Sequence, residues 1–132
     1  MDLTKKATSA LENAYAPYSN FRVGSAILTS TGEVFVGCNV ENASYGATIC
    51  AERSAICEMV AHGKTEIKTI VIVNETDRAC MPCGVCRQVI AEFATAKTQI
   101  ICSTKEGKDR QTFSVADLLP HAFSKSFLPP TR

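Results

Sequence analysis

The sequence lacks several features that would place it in a special class of protein. Its 132 residues include no tryptophan and two histidines, and 14 basic residues balance 13 acidic ones, for a formal net charge of +1. Binding to a nucleic-acid backbone requires several clustered cations, so this balance disfavours a polynucleotide partner. No apolar run reaches the roughly 18 residues of a membrane-spanning helix, and the amino terminus does not resemble a signal peptide. We therefore expect a cytoplasmic protein that has no membrane partner.

The length and composition are those of an ordinary folded domain. Hydrophobic residues make up 45% of the chain and charged residues 20%, as is usual for globular proteins. A chain of about 130 residues can bury one core without additional cross-links. We predict a single domain over residues 1–132, without repeats or linkers.

Hydrophobic periodicity predicts helices that alternate with strands. The predicted helices cover residues 3–15, 50–61, 83–96 and 114–119. The predicted strands cover residues 22–29, 33–40, 67–73, 99–103 and 111–113. This order indicates an α/β fold in which both faces of a sheet are covered. The tail from residue 121 to residue 132 contains two adjacent prolines and is expected to be irregular.

What the chain does have is cysteine. Seven cysteines are an odd number in a protein expected to be cytoplasmic, which favours metal binding or catalysis over a disulfide framework. Two groups of cysteines lie where a predicted helix begins: Cys50 in Cys50-Ala51-Glu52, and the pair Cys83 and Cys86 in PCGVC. Free backbone N–H groups and the helix dipole favour thiolate over thiol at such positions.

The Cys83–Cys86 CxxC motif permits three interpretations. A redox dithiol has this spacing, a structural zinc site has four protein ligands, and a catalytic zinc site has three protein ligands and one open position. The sequence contains no second CxxC, and its histidines are isolated. Cys50 can supply a third thiolate, and Glu52 follows it closely. The combination favours a catalytic zinc site over the other two.

The pattern CAE…PCGVC corresponds to the arrangement of zinc deaminases, with cysteine in place of histidine. It is flanked by APYSNFRVG (16–24), GCNVENASYG (37–46) and CGVCRQVIAEF (83–93). From about residue 14 to residue 123, the chain resembles the small homotetrameric cytidine deaminases of the cytidine/deoxycytidylate deaminase family. The resemblance implies a three-layer α/β/α sandwich around a central five-stranded mixed sheet. It also implies one Zn²⁺ per subunit and the hydrolytic deamination of free cytidine and deoxycytidine, as in pyrimidine salvage.

The resemblance assigns roles to the residues of the reaction centre. Cys50, Cys83 and Cys86 would hold zinc. Glu52 would move a proton from zinc-bound water to the pyrimidine N3 and then to the leaving amine, while hydroxide attacks C4. Arg53 would offset the negative charge of three thiolates beside the metal.

The resemblance also assigns contacts with the substrate. Phe21 would pack on the pyrimidine, and Asn39 and Glu41 would hold the ribose 3′-hydroxyl. The backbone N–H of Ala51 would donate to O2 of the ring.

Two further residues match positions that reach into a neighbouring subunit's site in similar proteins. These are Tyr45 and Phe123. The resemblance therefore implies a homotetramer whose active sites are shared between chains.

The remaining cysteines are predicted to have no chemical role. Cys38, Cys57 and Cys102 are expected to be small core residues, and Cys80 a loop residue. His62 is expected to interact with the carbonyls at the end of its helix.

Other functions fit parts of this pattern. A deaminase of the same fold acting on blasticidin S would share the zinc centre, although Asn39 and Glu41 favour a nucleoside sugar. A polynucleotide-editing deaminase would need a cationic groove and aromatic platforms. A zinc-stabilised or dithiol binding module would explain the cysteines but would leave Glu52 without a task.

Overall fold

A five-stranded mixed sheet forms the centre of the computed structural model, which describes residues 2–130. The strands are β1 (Val23–Thr29), β2 (Val34–Cys38), β3 (Ile67–Asn74), β4 (Ala94–Thr104) and β5 (Arg110–Phe113), in the order β2-β1-β3-β4-β5. The pairs β1–β2, β1–β3 and β4–β5 are antiparallel, whereas β3 and β4 are parallel. The predicted mixed sheet of five strands is confirmed.

Helices cover both faces of this sheet. They are α1 (Leu3–Leu11), α2 (Ala51–Ala61), α3 (Gly84–Phe93) and α4 (Val115–Leu118), with 3₁₀ turns at Tyr45–Ala47 and Lys125–Phe127. α1 packs with Ala26 and Val71 on one face, while α2, α3 and α4 pack with Ile27 and Ile72 on the other. Because successive side chains of a strand point to opposite faces, β1 and β3 contribute to both cores. The predicted three-layer α/β/α architecture is confirmed.

Two helices are shorter than the periodicity predicts. α1 ends at Leu11 rather than at residue 15, because the chain extends at Tyr15, whose N–H donates to the Asn39 carbonyl (3.0 Å). α3 ends at Phe93 rather than at residue 96, because Ala94 is extended and pairs with Ile67 of β3. Both differences come from pairing with segments that are distant in sequence.

The cysteines outside the two motifs have different environments. Cys102 is buried in the core between the sheet and α2, as predicted, and Cys38 is partly exposed. The prediction for Cys57 is wrong: it is exposed, because the buried face of α2 is formed by Ile56 and Met59 and Cys57 points away from it.

The predicted irregular tail contains the 3₁₀ turn Lys125–Phe127, and its last two residues lie outside the described range. Within residues 2–130, no helix has both the length and the apolarity to cross a membrane.

Gly37 sets the position of α2 against the sheet. A Cβ added to Gly37 would lie 2.4 Å from the Ala55 nitrogen and 2.7 Å from the Ala51 carbonyl oxygen. Real Cβ atoms do not approach backbone so closely, so α2 can rest on β2 only because residue 37 has no side chain. This contact places the first turn of α2 beside the sheet, where the functional side chains are found.

Candidate metal centre and active site

The starts of α2 and α3 bring three thiols together. Cys50 is the N-cap of α2, Cys83 is the N-cap of α3, and Cys86 lies in the first turn of α3. Their Sγ atoms all lie within 4.8 Å of one another, and no other such group of three potential ligands occurs within residues 2–130. Tetrahedral zinc with Zn–S bonds of about 2.3 Å places its sulfur ligands about 3.8 Å apart, so small movements of these side chains suffice.

The charge on the sulfurs also fits a cation. A hydrogen bond from Cys86, assisted by the guanidinium of Arg53, lowers the pKa of Cys50 to about 5. The same bond to Cys50, together with burial, raises the pKa of Cys86. The pair therefore holds one thiolate beside one thiol, and metal binding replaces such a proton. Three sulfur ligands, at least one of them already a thiolate, suit Zn²⁺.

Arg53 places a positive charge beside these sulfurs. Its Nη2 lies 3.8 Å from Cys50 Sγ and donates to the Thr48 carbonyl at 3.1 Å. Its Nε is buried and has no hydrogen-bond partner among the described residues. The contact with Cys50 raises the pKa of Arg53, so its positive charge stays beside the thiols.

Glu52 is a buried acid beside the three thiols. It lies in the first turn of α2, and only 4% of its surface is exposed. Burial, followed by the nearby charge of Cys50, raises the pKa of Glu52 to about 7. A carboxyl that titrates near neutral pH can both accept and deliver a proton under physiological conditions.

A cavity of about 300 Å³ connects Glu52 with the loops above the sheet. It is lined by Ser19, Phe21, Val23, Asn39, Glu41, Thr48, Cys50, Ala51, Glu52, Ile72, Asn74, Cys80, Met81 and Cys83. Seven residues predicted from the sequence meet here: Phe21, Asn39, Glu41, Cys50, Ala51, Glu52 and Cys83. Cys86 belongs to the thiol group but is buried behind the cavity wall.

Asn39 braces the loop that carries Phe21. Its Oδ1 accepts from the Val23 N–H (2.9 Å), and its Nδ2 donates to the Phe21 carbonyl (2.8 Å). The amide therefore has a structural task that the sequence did not reveal, and it still lines the cavity.

Glu41 braces the same loop from the other side. Its Oε1 accepts from the backbone N–H groups of Tyr18 (3.0 Å) and Ser19 (3.1 Å), and its Oε2 accepts from the Ser19 hydroxyl. The hydrogen bond from the Ser19 hydroxyl has the largest effect in lowering the pKa of Glu41, and the two backbone N–H groups lower it further. The carboxylate therefore stays ionised.

Two of the predicted residues lie elsewhere. Tyr45 is 76% exposed and meets Tyr18 edge to face, with ring centroids 5.9 Å apart. Phe123 is 58% exposed and stacks on Phe127, and the Gln88 amide donates to the Phe123 carbonyl at 2.9 Å. Neither aromatic ring lines the cavity of its own chain.

Sequence reasoning missed several residues of the cavity wall. Ser19, Thr48, Ile72, Asn74 and Met81 line it without having been singled out. Cys80 is an exposed loop residue, as predicted, but it also lines the cavity. Of these residues, Ser19 is the one that the sequence could have indicated, because it lies in the APYSNFRVG segment, two residues before Phe21.

His62 is placed as the sequence predicts. Its Nδ1 lies 2.9 Å from the Glu58 carbonyl oxygen in the last turn of α2. This ring therefore belongs to the helix end and not to the thiol centre.

Comparison with known proteins agrees with this geometry. Residues 1–102 match the family model described as the cytidine and deoxycytidylate deaminase zinc-binding region. A cytidine deaminase from Halalkalibacterium halodurans is 46% identical over 122 residues, covering 92% of each chain. One from Sporosarcina psychrophila is 43% identical over 131 residues, covering 97% of this chain and 96% of the other.

Crystal structures give the same result. The cytidine deaminase of Burkholderia pseudomallei superposes with a TM-score of 0.86 at 46% identity, over 92% of this chain and 96% of that one. The enzyme of Mycobacterium tuberculosis superposes with a TM-score of 0.79 at 40% identity, over 92% and 94% of the two chains. The chain therefore belongs to the cytidine and deoxycytidylate deaminase family of zinc-dependent enzymes.

Proposed function

We propose that the protein hydrolyses free cytidine and deoxycytidine to uridine and deoxyuridine, releasing ammonia, as a step of pyrimidine salvage. The observation that carries the proposal is the position of the buried Glu52 carboxyl. It lies beside three clustered thiols, in a cavity that Asn39 and Glu41 also line. The cavity thus offers acid–base chemistry at Glu52 and acceptors for sugar hydroxyls at Asn39 and Glu41. The similarity to cytidine deaminases supports this choice over blasticidin S.

Glu52 carries the proton transfers of the proposed reaction. Cys50, Cys83 and Cys86 would hold a zinc ion, which would supply Lewis acidity and make the attacking water more acidic. Glu52 accepts a proton from the attacking water and delivers it to N3 of the pyrimidine. Glu52 next takes the second proton from the oxygen now bonded to C4 and delivers it to the amine, so that the C4–N bond breaks and ammonia leaves.

The side chains around the cavity orient the base and the sugar. Phe21 offers an apolar ring for the pyrimidine to pack on. The Ala51 N–H is at the first position of α2, where helix geometry provides no internal acceptor, and it can donate to O2 of the ring. Asn39 and Glu41 retain acceptor capacity for the 3′-hydroxyl after bracing the loop.

The charge of the cavity supports a nucleoside over a nucleotide. Its described lining contains the carboxyl groups of Glu41 and Glu52 and no lysine or arginine. A 5′-phosphate usually binds through arginine, lysine or clustered backbone N–H groups, and an anionic wall repels it. We therefore expect cytidine to be preferred over its monophosphate.

The assembly is part of the proposal. Tyr45 and Phe123 are exposed and do not line their own cavity, as expected if each reaches the site of another chain in a homotetramer. Residues 1–132 would then form one catalytic domain, acting in the cytoplasm, and each complete active site would need more than one copy.

Zinc content and cytidine turnover, measured on the same preparation, test the proposal. We expect stoichiometric zinc, release of ammonia and loss of the cytidine absorbance. Glu52→Gln should retain zinc and lose at least about 10²-fold in kcat, while the exposed helix residue Glu58, changed to Gln, should match the wild type. Zinc-loaded wild-type protein that leaves cytidine unchanged would overturn the function. Full activity of Glu52→Gln would overturn only the proton role.

A further inference from the structure

Ser19 joins two walls of the cavity. Its hydroxyl donates to Oε2 of Glu41 and accepts from the Phe21 N–H at 3.0 Å, while its own N–H donates to Oε1 of Glu41 at 3.1 Å. Ser19 itself lines the cavity, as do both of its partners. One short side chain therefore connects an acidic side chain to the backbone of an aromatic one.

The direction of these hydrogen bonds is fixed by chemistry. The Phe21 N–H can only donate, and the ionised Glu41 carboxylate can only accept. The Ser19 hydroxyl must then use a lone pair for Phe21 and its single proton for Glu41. Bonds that run in one direction along such a chain polarise and strengthen one another.

The loop geometry makes this connection tight. Between Ser19 and Phe21, Asn20 has a positive φ of 55°, and its N–H donates to the Ala16 carbonyl at 3.0 Å. Asparagine tolerates this left-handed conformation better than most residues. The turn brings the Phe21 N–H onto the Ser19 hydroxyl, so Phe21 cannot shift without disturbing Glu41.

The acceptor count shows what remains for a ligand. A carboxylate offers about four hydrogen-bonding positions, and Tyr18 N–H, Ser19 N–H and the Ser19 hydroxyl use three of those on Glu41. One position is left for a hydroxyl donor in the cavity. The direction of this free position depends on the hydrogen bond that the Ser19 hydroxyl donates to Oε2.

We propose that Ser19 is a positioning residue for the nucleoside sugar: it orients the free acceptor position of Glu41 and fixes it relative to Phe21. This inference rests on the proposed function. Ser19 should therefore affect substrate binding only when the sugar carries its 3′-hydroxyl, and it takes no part in proton transfer.

The test pairs a protein change with a substrate change. Ser19→Ala should raise KM for cytidine about tenfold, as expected for a lost hydrogen bond to a charged group, and leave kcat within about twofold. With 3′-deoxycytidine, which lacks the hydroxyl, the same variant should differ from the wild type by less than about twofold in KM. Ser19→Thr keeps the hydroxyl and should restore cytidine KM. Ser30→Ala changes an exposed turn serine and is the matched control.

Two results would overturn the inference. Equal losses on cytidine and 3′-deoxycytidine would show that Ser19 only supports the loop. A Ser19→Ala loss that persists in a Glu41→Gln background would show that it does not act through Glu41. If Ser19→Ala does not fold, Ser19→Thr decides: the inference requires that it keep the wild-type KM ratio of the two substrates. Failure of the wild type to deaminate cytidine would instead refute the proposed function.

Discussion

Arg53 in the first turn of α2 lies beside Cys50, the N-cap of that helix, with Nη2 of the arginine 3.8 Å from Sγ of the cysteine. The same nitrogen donates to the Thr48 carbonyl at 3.1 Å, which holds the guanidinium between the loop and the sulfur. Three thiolates around Zn²⁺ carry a formal charge of −1 and weaken the metal as a Lewis acid. We propose that the positive charge of Arg53, held at this distance, would reduce that effect when zinc is bound.

The first prediction concerns this pair. Arg53→Ala should lower either zinc retention or kcat by about 10- to 100-fold, the usual cost of removing a group that supports metal ligands. Arg53→Lys keeps the charge but has no planar fork to reach both Thr48 and Cys50, so it should recover the loss only in part. Zinc release to a chromogenic chelator and steady-state turnover measure the two effects. Arg78→Ala, at an exposed loop position, is the control, and wild-type values for both measurements in Arg53→Ala would refute the role.

The second prediction uses the buried acid. Burial raises the pKa of Glu52 to about 7, above its ordinary value of 4.5, so the folded protein binds this proton more strongly than the unfolded chain. Stability from Glu52 is thus fully present below pH 4.5 and is lost as the pH rises through 7. Glu52→Gln cannot ionise and avoids the loss. In zinc-stripped protein it should be more stable than the wild type by about 3 kcal/mol at pH 8.

Urea unfolding of both proteins across pH 4–8 measures this difference. Acids distant from position 52 titrate alike in the two proteins, so subtracting the curves leaves the contribution of Glu52 together with its coupling to the neighbouring thiols. The expected difference is near zero at pH 4 and grows steadily between pH 4.5 and 7. A difference that stays constant over this range would show that Glu52 does not titrate there.

The third prediction concerns the seat of α2. Gly37→Ala places a Cβ 2.4 Å from the Ala55 nitrogen, and neither backbone can yield without moving the helix away from β2. We expect a loss of about 3 kcal/mol or more in the free energy of unfolding, at the upper end of overpacking effects. Zinc binding should weaken in parallel, because the first turn of α2 carries Cys50. Gly46→Ala, where an added Cβ meets nothing within 4 Å, is the control; equal stability of the two variants would contradict the argument.

The sequence predicts the thiol centre well because its signals are local. Cys50, Cys83 and Cys86 each stand at a helix start, and helix starts on one side of a sheet can meet at one edge. The alternating strands likewise predict the sheet, since the side-chain pattern of a strand is set by its own residues.

What the sequence did not predict depends on distant pairing. The early end of α1 follows from the Tyr15–Val40 bridge, and the bracing of the Phe21 loop by Asn39 joins segments 18 residues apart. No local pattern encodes either contact. Cys57 was misplaced for a different reason: it follows buried Ile56, but one residue along a helix is a rotation of about 100°, enough to turn a side chain from core to solvent.

The last prediction concerns the loop that carries Cys83. Arg87 Nε donates to the Pro82 carbonyl at 2.7 Å, and its Nη1 donates to the Leu118 carbonyl at 2.8 Å, at the end of α4. The guanidinium thus ties the residue before Cys83 to the carboxyl-terminal helix. Arg87→Ala leaves both carbonyls without this donor and should lower the free energy of unfolding by about 1–3 kcal/mol.

Loss of the two Arg87 hydrogen bonds should also speed zinc release, by more than the loss of overall stability alone would explain. Cys83 is the exposed member of the thiol group, so loosening Pro82 should speed zinc release to a chelator about tenfold or more, within the range for groups that support metal ligands. Gln88→Ala is the matched control, because it frees the Phe123 carbonyl and leaves Pro82 held. Equal zinc release from the two variants, measured well below their unfolding temperatures, would show that Arg87 only joins α3 to α4. Faster release from Arg87→Ala alone would show that it holds Cys83 in place for the metal.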